Sequence, residues 1–174
     1  MCAEWKSYVM VEEKYKIVIF GAFGAGKSTL IQTLDPQAKH IEADCPVKYS
    51  TTIALDYGRV QFGERRVYLY GTPGQERFEF ARKIIGKGMD GAILLIDATM
   101  DVDDFVVNMY TSLVDSGIPF IIFLNKTDLD GTKTGMFRER FAAVDVNIVS
   151  AKDRNLARET LSAFIEKLRP HNCG

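Results

Sequence analysis

A chain of 174 residues is long enough for one domain with a substantial core and too short for two. Hydrophobic residues make up 47% of it and charged residues 26%, as in ordinary globular proteins, and the net charge of −1 offers no basic surface for nucleic acid. No apolar run reaches the length of a membrane-spanning helix, the N-terminal residues lack the pattern of a secretory signal, and the three cysteines have neither metal-binding nor disulfide spacing. We therefore expect a cytoplasmic protein with free thiols that binds no nucleic acid and does not span a membrane.

Six apolar segments are predicted to form strands, and amphipathic stretches lie between them. The segments are residues 15–20, 53–62, 66–70, 91–97, 119–124 and 146–150. Several of them are apolar at successive positions, which is typical of parallel strands that are buried on both faces. The sequence QFGERRV between the second and third segments indicates a hairpin turn. Apolar residues at three- and four-residue steps over 102–113 and 156–168 indicate helices.

This alternation predicts an α/β fold with a mostly parallel six-stranded sheet flanked by helices on both faces. Ligands in such folds bind beyond the carboxyl ends of the strands, so the functional residues are expected there. The predicted domain covers residues 14–169, with residues 1–13 as an N-terminal extension and residues 170–174 as a C-terminal tail.

A glycine-rich motif, GAFGAGKS, follows the first predicted strand and precedes the helical stretch STLIQTL. It matches the phosphate loop G-x-x-x-x-G-K-[ST], whose glycines let consecutive backbone N–H groups converge on phosphate at a helix N-terminus. Lys27 would place its charge on the outer phosphates, and Ser28 would offer its hydroxyl to Mg²⁺. The predicted phosphate-binding residues of this loop are Gly21, Phe23, Gly24, Ala25, Gly26, Lys27, Ser28 and Thr29.

Two further motifs follow strands and indicate the base. In NKTD, the carboxylate of Asp128 can accept hydrogen bonds from both N1–H and the N2 amine of guanine, a pair of donors that adenine lacks. Asn125 would brace neighbouring loops, and the stem of Lys126 would cover the base plane. After the last strand, SAK offers a backbone N–H near Ala151 to guanine O6. The predicted guanine-binding residues are Asn125, Lys126, Asp128, Ser150, Ala151 and Lys152.

In their order and setting, these motifs resemble those of the Ras-like small GTPases over essentially the whole chain, most of all the prokaryotic MglA-like and the Rab-like branch. The resemblance implies a P-loop NTPase G domain with GTP and GDP as ligands and Mg²⁺ as cofactor. It also implies a GTP/GDP molecular switch that hydrolyses GTP slowly and has a protein effector and a GTPase-activating partner. By likeness to MglA, a roadblock-type activator is a candidate.

The resemblance assigns the two switch segments. In KYSTTIALDYG, residues 48–58, Thr52 is expected to bind Mg²⁺ and report the γ-phosphate, with Thr51 as the alternative. In GTPGQERF, Gly74 would donate its N–H to the γ-phosphate and Gln75 would orient the attacking water. The predicted catalytic residues are therefore Gln75 and Lys27, and the predicted metal ligands are Ser28 and Thr52.

An activating arginine is not available from the first switch, because no arginine lies between Asp35 and Thr52. Arg77, beside Gln75, could act in cis but is assigned to shaping the second switch. Phe23 stands where the family often has a small residue, so it either slows hydrolysis or packs over the nucleotide site. We therefore expect slow intrinsic turnover and an external activator.

The main departure from the family is Gly71, which stands where an aspartate normally holds Mg²⁺, usually through water. Three explanations are open. Mg²⁺ binds through Ser28, a switch threonine, phosphate and water, because this ion keeps several waters; or Asp56 or Asp97 takes the place of the missing acid; or the protein binds nucleotide without hydrolysing it. The first is preferred, because the second switch is otherwise intact.

Two rival functions follow from the same residues. A guanine-nucleotide-binding scaffold without hydrolysis would explain Gly71 and Phe23 together. An ATP-using phosphotransferase would share the phosphate loop, but NKTD argues against it.

Overall fold

A computed structural model of the protein describes residues 12–45, 51–76 and 79–168. The strands are β1 (Glu13–Phe20), β2 (Lys39–Cys45), β3 (Thr51–Phe62), β4 (Arg65–Gly71), β5 (Gly91–Asp97), β6 (Phe120–Asn125) and β7 (Val146–Ile148). The helices are α1 (Lys27–Leu34), α2 (Glu79–Ile85), α3 (Asp104–Ser116), α4 (Thr134–Arg140) and α5 (Arg154–Lys167). The predicted extension and tail lie almost entirely outside the described residues, so the domain boundaries stay a prediction.

All the strands belong to one sheet in the order β2-β3-β4-β1-β5-β6-β7. Strand β1 is central and runs parallel to β4 and β5, and β6 and β7 continue the parallel part. The hairpin of β3 and β4 is antiparallel, as is the pair of β2 and β3. The mostly parallel α/β fold is therefore confirmed.

The number of strands differs from the prediction, since the described residues form seven strands rather than six. The additional strand is β2, with the sequence KHIEADC. It lies at the edge of the sheet, and its Lys39, His40 and Glu42 are exposed, so it carries no apolar run that periodicity could reveal. Helix α4 was not predicted for a similar reason, because Phe137 is the one buried residue among its seven described residues.

The core has two halves, one on each face of the sheet. Alternate residues of β1 supply both: Ile17 and Ile19 pack with residues of α1 and α5, whereas Val18 and Phe20 pack with residues of α3 and α4. Each face of a parallel strand is therefore covered by helices. This sandwich fixes the carboxyl ends of β1, β4, β5 and β6 along one edge, where the predicted motifs lie.

Among the described residues, no helix combines the length and the apolar character needed to cross a membrane.

Candidate functional site

The phosphate-loop motif connects the end of β1 to the start of α1. Gly24 and Gly26 have φ values of 77° and 103°, in the left-handed region that L side chains rarely adopt. Gly26 caps α1, and a Cβ atom there would lie 2.4 Å from Asn125 Nδ2. Backbone conformation and close packing therefore both require glycine at position 26.

Lys27 is a buried cation at the first turn of α1. Its Nζ donates hydrogen bonds to the carbonyl oxygens of Gly21, at 2.8 Å, and Ala22, at 2.7 Å. Burial lowers the pKa of Lys27 to about 8, while the charge of Asp56 acts in the opposite direction. Two carbonyl oxygens of the loop therefore fix the position of the ammonium group, where it can bind an anion.

Asn125 ties two loops together at the carboxyl end of β6. Its Nδ2 donates to the Ala25 carbonyl at 2.8 Å, and its Oδ1 accepts from the Ala151 N–H at 2.8 Å. The side chain is buried, so these bonds form away from solvent. The Ala151 N–H thus already donates a hydrogen bond to Asn125. The contact between this N–H and guanine O6 stays a prediction.

The remaining residues predicted to bind guanine lie around this link. Lys126 adopts a φ of 61°, and its Nζ lies 2.5 Å from Asp97 Oδ2. Asp128 and Lys152 are exposed, and the Ser150 carbonyl accepts from the N–H of Asp153 at 2.9 Å. These residues therefore follow the carboxyl ends of β6 and β7, and the side chain of Asn125 links both ends to the phosphate loop.

Asp97, one of the two candidates to replace the missing acid, is engaged elsewhere. Burial opposes its ionisation, but hydrogen bonds from Lys126 and Thr99 outweigh this effect and lower the pKa of Asp97. Its Oδ1 accepts from the Thr99 N–H at 3.0 Å, so it caps the turn after β5.

Asp56, the other candidate, lies beside Gly71. The two residues are paired across the β3–β4 hairpin. Oδ2 of Asp56 accepts a hydrogen bond from Ser28 Oγ at 2.5 Å, and Oδ1 accepts from His40 Nδ1 at 2.8 Å. The hydrogen bond to Asp56 raises the pKa of His40. The structure thus brings Ser28, Asp56 and Gly71 together, although they are far apart in sequence.

The second switch contacts the phosphate loop directly. A Cβ atom on Gly74 would lie 2.5 Å from the backbone nitrogen of Phe23, so the two backbones touch. Gln75 is exposed, and the Phe23 side chain is 80% exposed. Phe23 therefore does not pack into the protein core. Arg77 lies outside the described residues.

Arg82 holds the second switch in place, and sequence reasoning did not identify it. This buried residue of α2 donates to the carbonyl oxygens of Pro73 (3.3 Å), Gln75 (2.7 Å) and Glu76 (3.1 Å). Its guanidinium also lies over the Phe105 ring, 5.1 Å from the centroid. An arginine within an amphipathic helix gives no sequence signal for such contacts.

The first switch is described only in part. Residues 48–50 lie outside the described residues. Thr51 and Thr52 begin β3, paired with Cys45 and Asp44, but their side chains also lie outside what the structure describes. The predicted role of Thr52 as a metal ligand, with Thr51 as alternative, therefore stays a prediction.

The proteins that this chain resembles include GTP-binding proteins, as the phosphate loop and NKTD predict. The family model of the elongation factor Tu GTP binding domain matches residues 12–168. The chain belongs to the Ras-like P-loop GTPases. An uncharacterised protein of Methanocaldococcus jannaschii, MJ1339, is 32% identical over 125 residues, which cover 72% of this chain and 78% of that protein. The mutual gliding-motility protein MglA of Myxococcus xanthus is 28% identical over 146 residues, covering 74% and 75%.

The fold of this GTPase also matches solved structures. The G domain of the FeoB iron transporter of T. maritima has a TM-score of 0.67 at 17% identity, covering 88% of this chain and 98% of that one. The predicted Ras-like family is confirmed, and the protein is a GTP-binding G-domain protein of the small GTPase type.

The Mg²⁺ typical of the family fits the residues present. The Ser28 hydroxyl and the Asp56 carboxylate supply hard oxygen atoms at the start of α1, beside the phosphate loop. Among the described residues, no three His, Cys, Asp or Glu side chains gather as a metal centre. The ion would therefore depend on phosphate oxygens and water as well, as Mg²⁺ sites commonly do.

We expect Asn125→Ala to destabilise the GTPase and weaken GDP binding. The change leaves the Ala25 carbonyl and the Ala151 N–H without their partner, and each unsatisfied buried group costs about 1–3 kcal/mol. Chemical denaturation and GDP titration would measure the two effects. Asn155→Ala, an exposed change on α5, is the control. Equal losses in both variants would contradict the bracing role.

We expect Arg82→Met to loosen residues 73–76, because three carbonyl oxygens lose their donor. Hydrogen exchange should become faster in peptides containing these residues and stay unchanged in β1. Lys83→Met is the matched control, since Lys83 is exposed on the same helix and pairs with Glu79 at its surface. Unchanged exchange in Arg82→Met would show that Arg82 does not hold this loop.

Proposed function

We propose that this GTPase is a GTP/GDP molecular switch with slow, Mg²⁺-dependent hydrolysis that an external activator accelerates. The observation that carries the proposal is the backbone contact between Gly74 and Phe23. It joins the second switch to the loop that would hold the phosphates. A γ-phosphate at this junction would therefore decide where the second switch lies.

The proposed reaction is the transfer of the γ-phosphoryl group to water. Lys27 would offset charge on the outer phosphates, the N–H of Gly74 would donate to the γ-phosphate, and Gln75 would orient the attacking water. Mg²⁺ held near Ser28 would supply positive charge that offsets the negative charge of the phosphates. These residues position groups around the phosphate and form no covalent intermediate.

Slow turnover is proposed because neither the first switch nor Arg82 offers an arginine that could act on the phosphates. The first switch carries none between Asp35 and Thr52, and Arg82 is committed to three carbonyl oxygens. An arginine delivered by a partner raises the rate of such enzymes by roughly 10³–10⁵. A roadblock-type activator, an effector and a cytoplasmic location stay predictions.

We expect single-turnover hydrolysis of bound GTP to be slow, to require Mg²⁺ and to stop with EDTA. Gln75→Leu should slow hydrolysis by a factor on the order of 10² while GTP still binds, because leucine cannot orient the attacking water. Gln37→Leu, an exposed change after α1, is the control. Bound GTP that stays intact with and without Mg²⁺ would instead support the non-hydrolysing scaffold.

We expect Asp128→Asn to shift the base preference from guanine to xanthine. The amide cannot accept both donors of guanine, but it can accept from N1–H and donate to the oxygen at C2 of xanthine. Two lost charge-assisted hydrogen bonds would weaken GDP binding by about 10² or more. Competition between GDP, xanthosine diphosphate and ADP would measure this. Asp130→Asn, also exposed, is the control; tight ADP binding by the unaltered protein would favour the phosphotransferase.

A further inference from the structure

We propose that Asp56, on β3, takes over the magnesium-binding role that an aspartate at position 71 of β4 would have. This inference rests on the proposed binding of Mg²⁺ and guanine nucleotide. It departs from the sequence-based preference for a site that dispenses with the acid. Three features of the site support it.

The first feature is the space beside Gly71. A Cβ atom at position 71 would lie 3.3 Å from Asp56 Cβ and 3.4 Å from Asp56 Oδ2. It would also lie 2.9 Å from Ile31 Cδ1, on α1. The volume that a side chain at position 71 would enter is therefore already filled, in part by a carboxylate. The Asp56 side chain can occupy this space because residue 71 has no side chain.

The second feature is the direction of that carboxylate. Oδ2 of Asp56 accepts from Ser28 Oγ, the hydroxyl that a phosphate loop offers to Mg²⁺. Mg²⁺ binds oxygen ligands at 2.0–2.1 Å in octahedral geometry, so neighbouring ligands lie about 3 Å apart. A carboxylate 2.5 Å from Ser28 Oγ is thus within reach of the ion or of a water bound to it. Ser28 can keep donating its proton to Asp56 while a lone pair of its oxygen faces the metal.

The third feature is the fixed position of Asp56. Its other oxygen accepts from His40 Nδ1, and its side chain is only 14% exposed. His40 is paired with Asp56 across β2 and β3, and Gly71 is paired with it across β3 and β4. His40 thus fixes one oxygen of the carboxylate, and the other oxygen faces Ser28. Groups that orient the ligands of a metal in this way commonly matter as much as the ligands.

The rate of GDP release tests the inference without relying on hydrolysis. With a fluorescent GDP analogue bound, release is followed over a range of free Mg²⁺ concentrations and in EDTA. Asp56→Asn keeps the shape and an acceptor for Ser28 but removes the charge. We expect the Mg²⁺ concentration that half-suppresses release to rise by about 10- to 100-fold, as for other groups beside a metal. Release in EDTA should stay close to that of the unaltered protein.

Moving the carboxylate back to β4 provides the reverse test. The double variant Gly71→Asp with Asp56→Ala should recover most of the lost Mg²⁺ response, since one acid again faces Ser28. The end of Ile31 must shift, and the Cβ atom of residue 56, at 3.3 Å, must move slightly. Gly71→Asp alone should not improve it, because two carboxylates would then crowd one place. Asp115→Asn, an exposed change on α3, controls for the loss of one negative charge. Thermal melting would confirm that each variant is folded.

The outcomes separate this inference from the proposed function. If neither GDP nor GTP binds the unaltered protein, the proposed function fails. If GDP binds and Mg²⁺ slows its release equally in the unaltered protein, Asp56→Asn and Asp115→Asn, only the role of Asp56 is refuted. The same holds if the double variant responds no better than Asp56→Asn. If GDP binds but Mg²⁺ does not affect its release from the unaltered protein, the proposed binding of Mg²⁺ and the role of Asp56 are both refuted.

Discussion

The site depends on close contacts between the phosphate loop and three other segments of the chain. A Cβ atom at Gly21 would lie 2.4 Å from the Leu95 carbonyl of β5, and one at Gly26 would lie 2.4 Å from Asn125 Nδ2. On the third side, Gly74 of the second switch touches the loop itself. Three separate segments therefore meet the loop at distances that only glycine permits. A side chain at any of the three glycines would therefore require a neighbouring group to shift.

This close packing has an electrostatic consequence. Lys27 is buried within it, and burial disfavours its charge. Two loop carbonyls and the nearby charge of Asp56 favour the charged form, but within the described part of the chain no side-chain oxygen accepts a hydrogen bond from its Nζ. The ammonium group thus lacks a carboxylate partner at hydrogen-bond distance, and the phosphates of a nucleotide would supply the anion. The loop is therefore arranged for an anion before one arrives.

The parts of the fold predicted from sequence are those whose signal is local. Strands buried on both faces appear as apolar runs, and the phosphate loop and NKTD are contiguous motifs that follow such strands. The edge strand β2 and the short helix α4 carry too few apolar residues to show a period. Arg82 could not be found either, because its partners are backbone carbonyls of a loop. Contacts of this kind leave no trace in residue type.

The pairing of Asp56 with Gly71 could have been predicted from the sequence, although no contiguous motif reveals it. The turn at Gly63 and Glu64 is a two-residue hairpin loop, and it pairs Phe62 with Arg65. Counting six residues back along β3 and six forward along β4 then pairs Asp56 with Gly71. Paired residues point to the same face of a sheet, so an acid on one strand can replace an acid on the next. A missing residue in a motif is therefore best sought across the strand pair as well as along the chain.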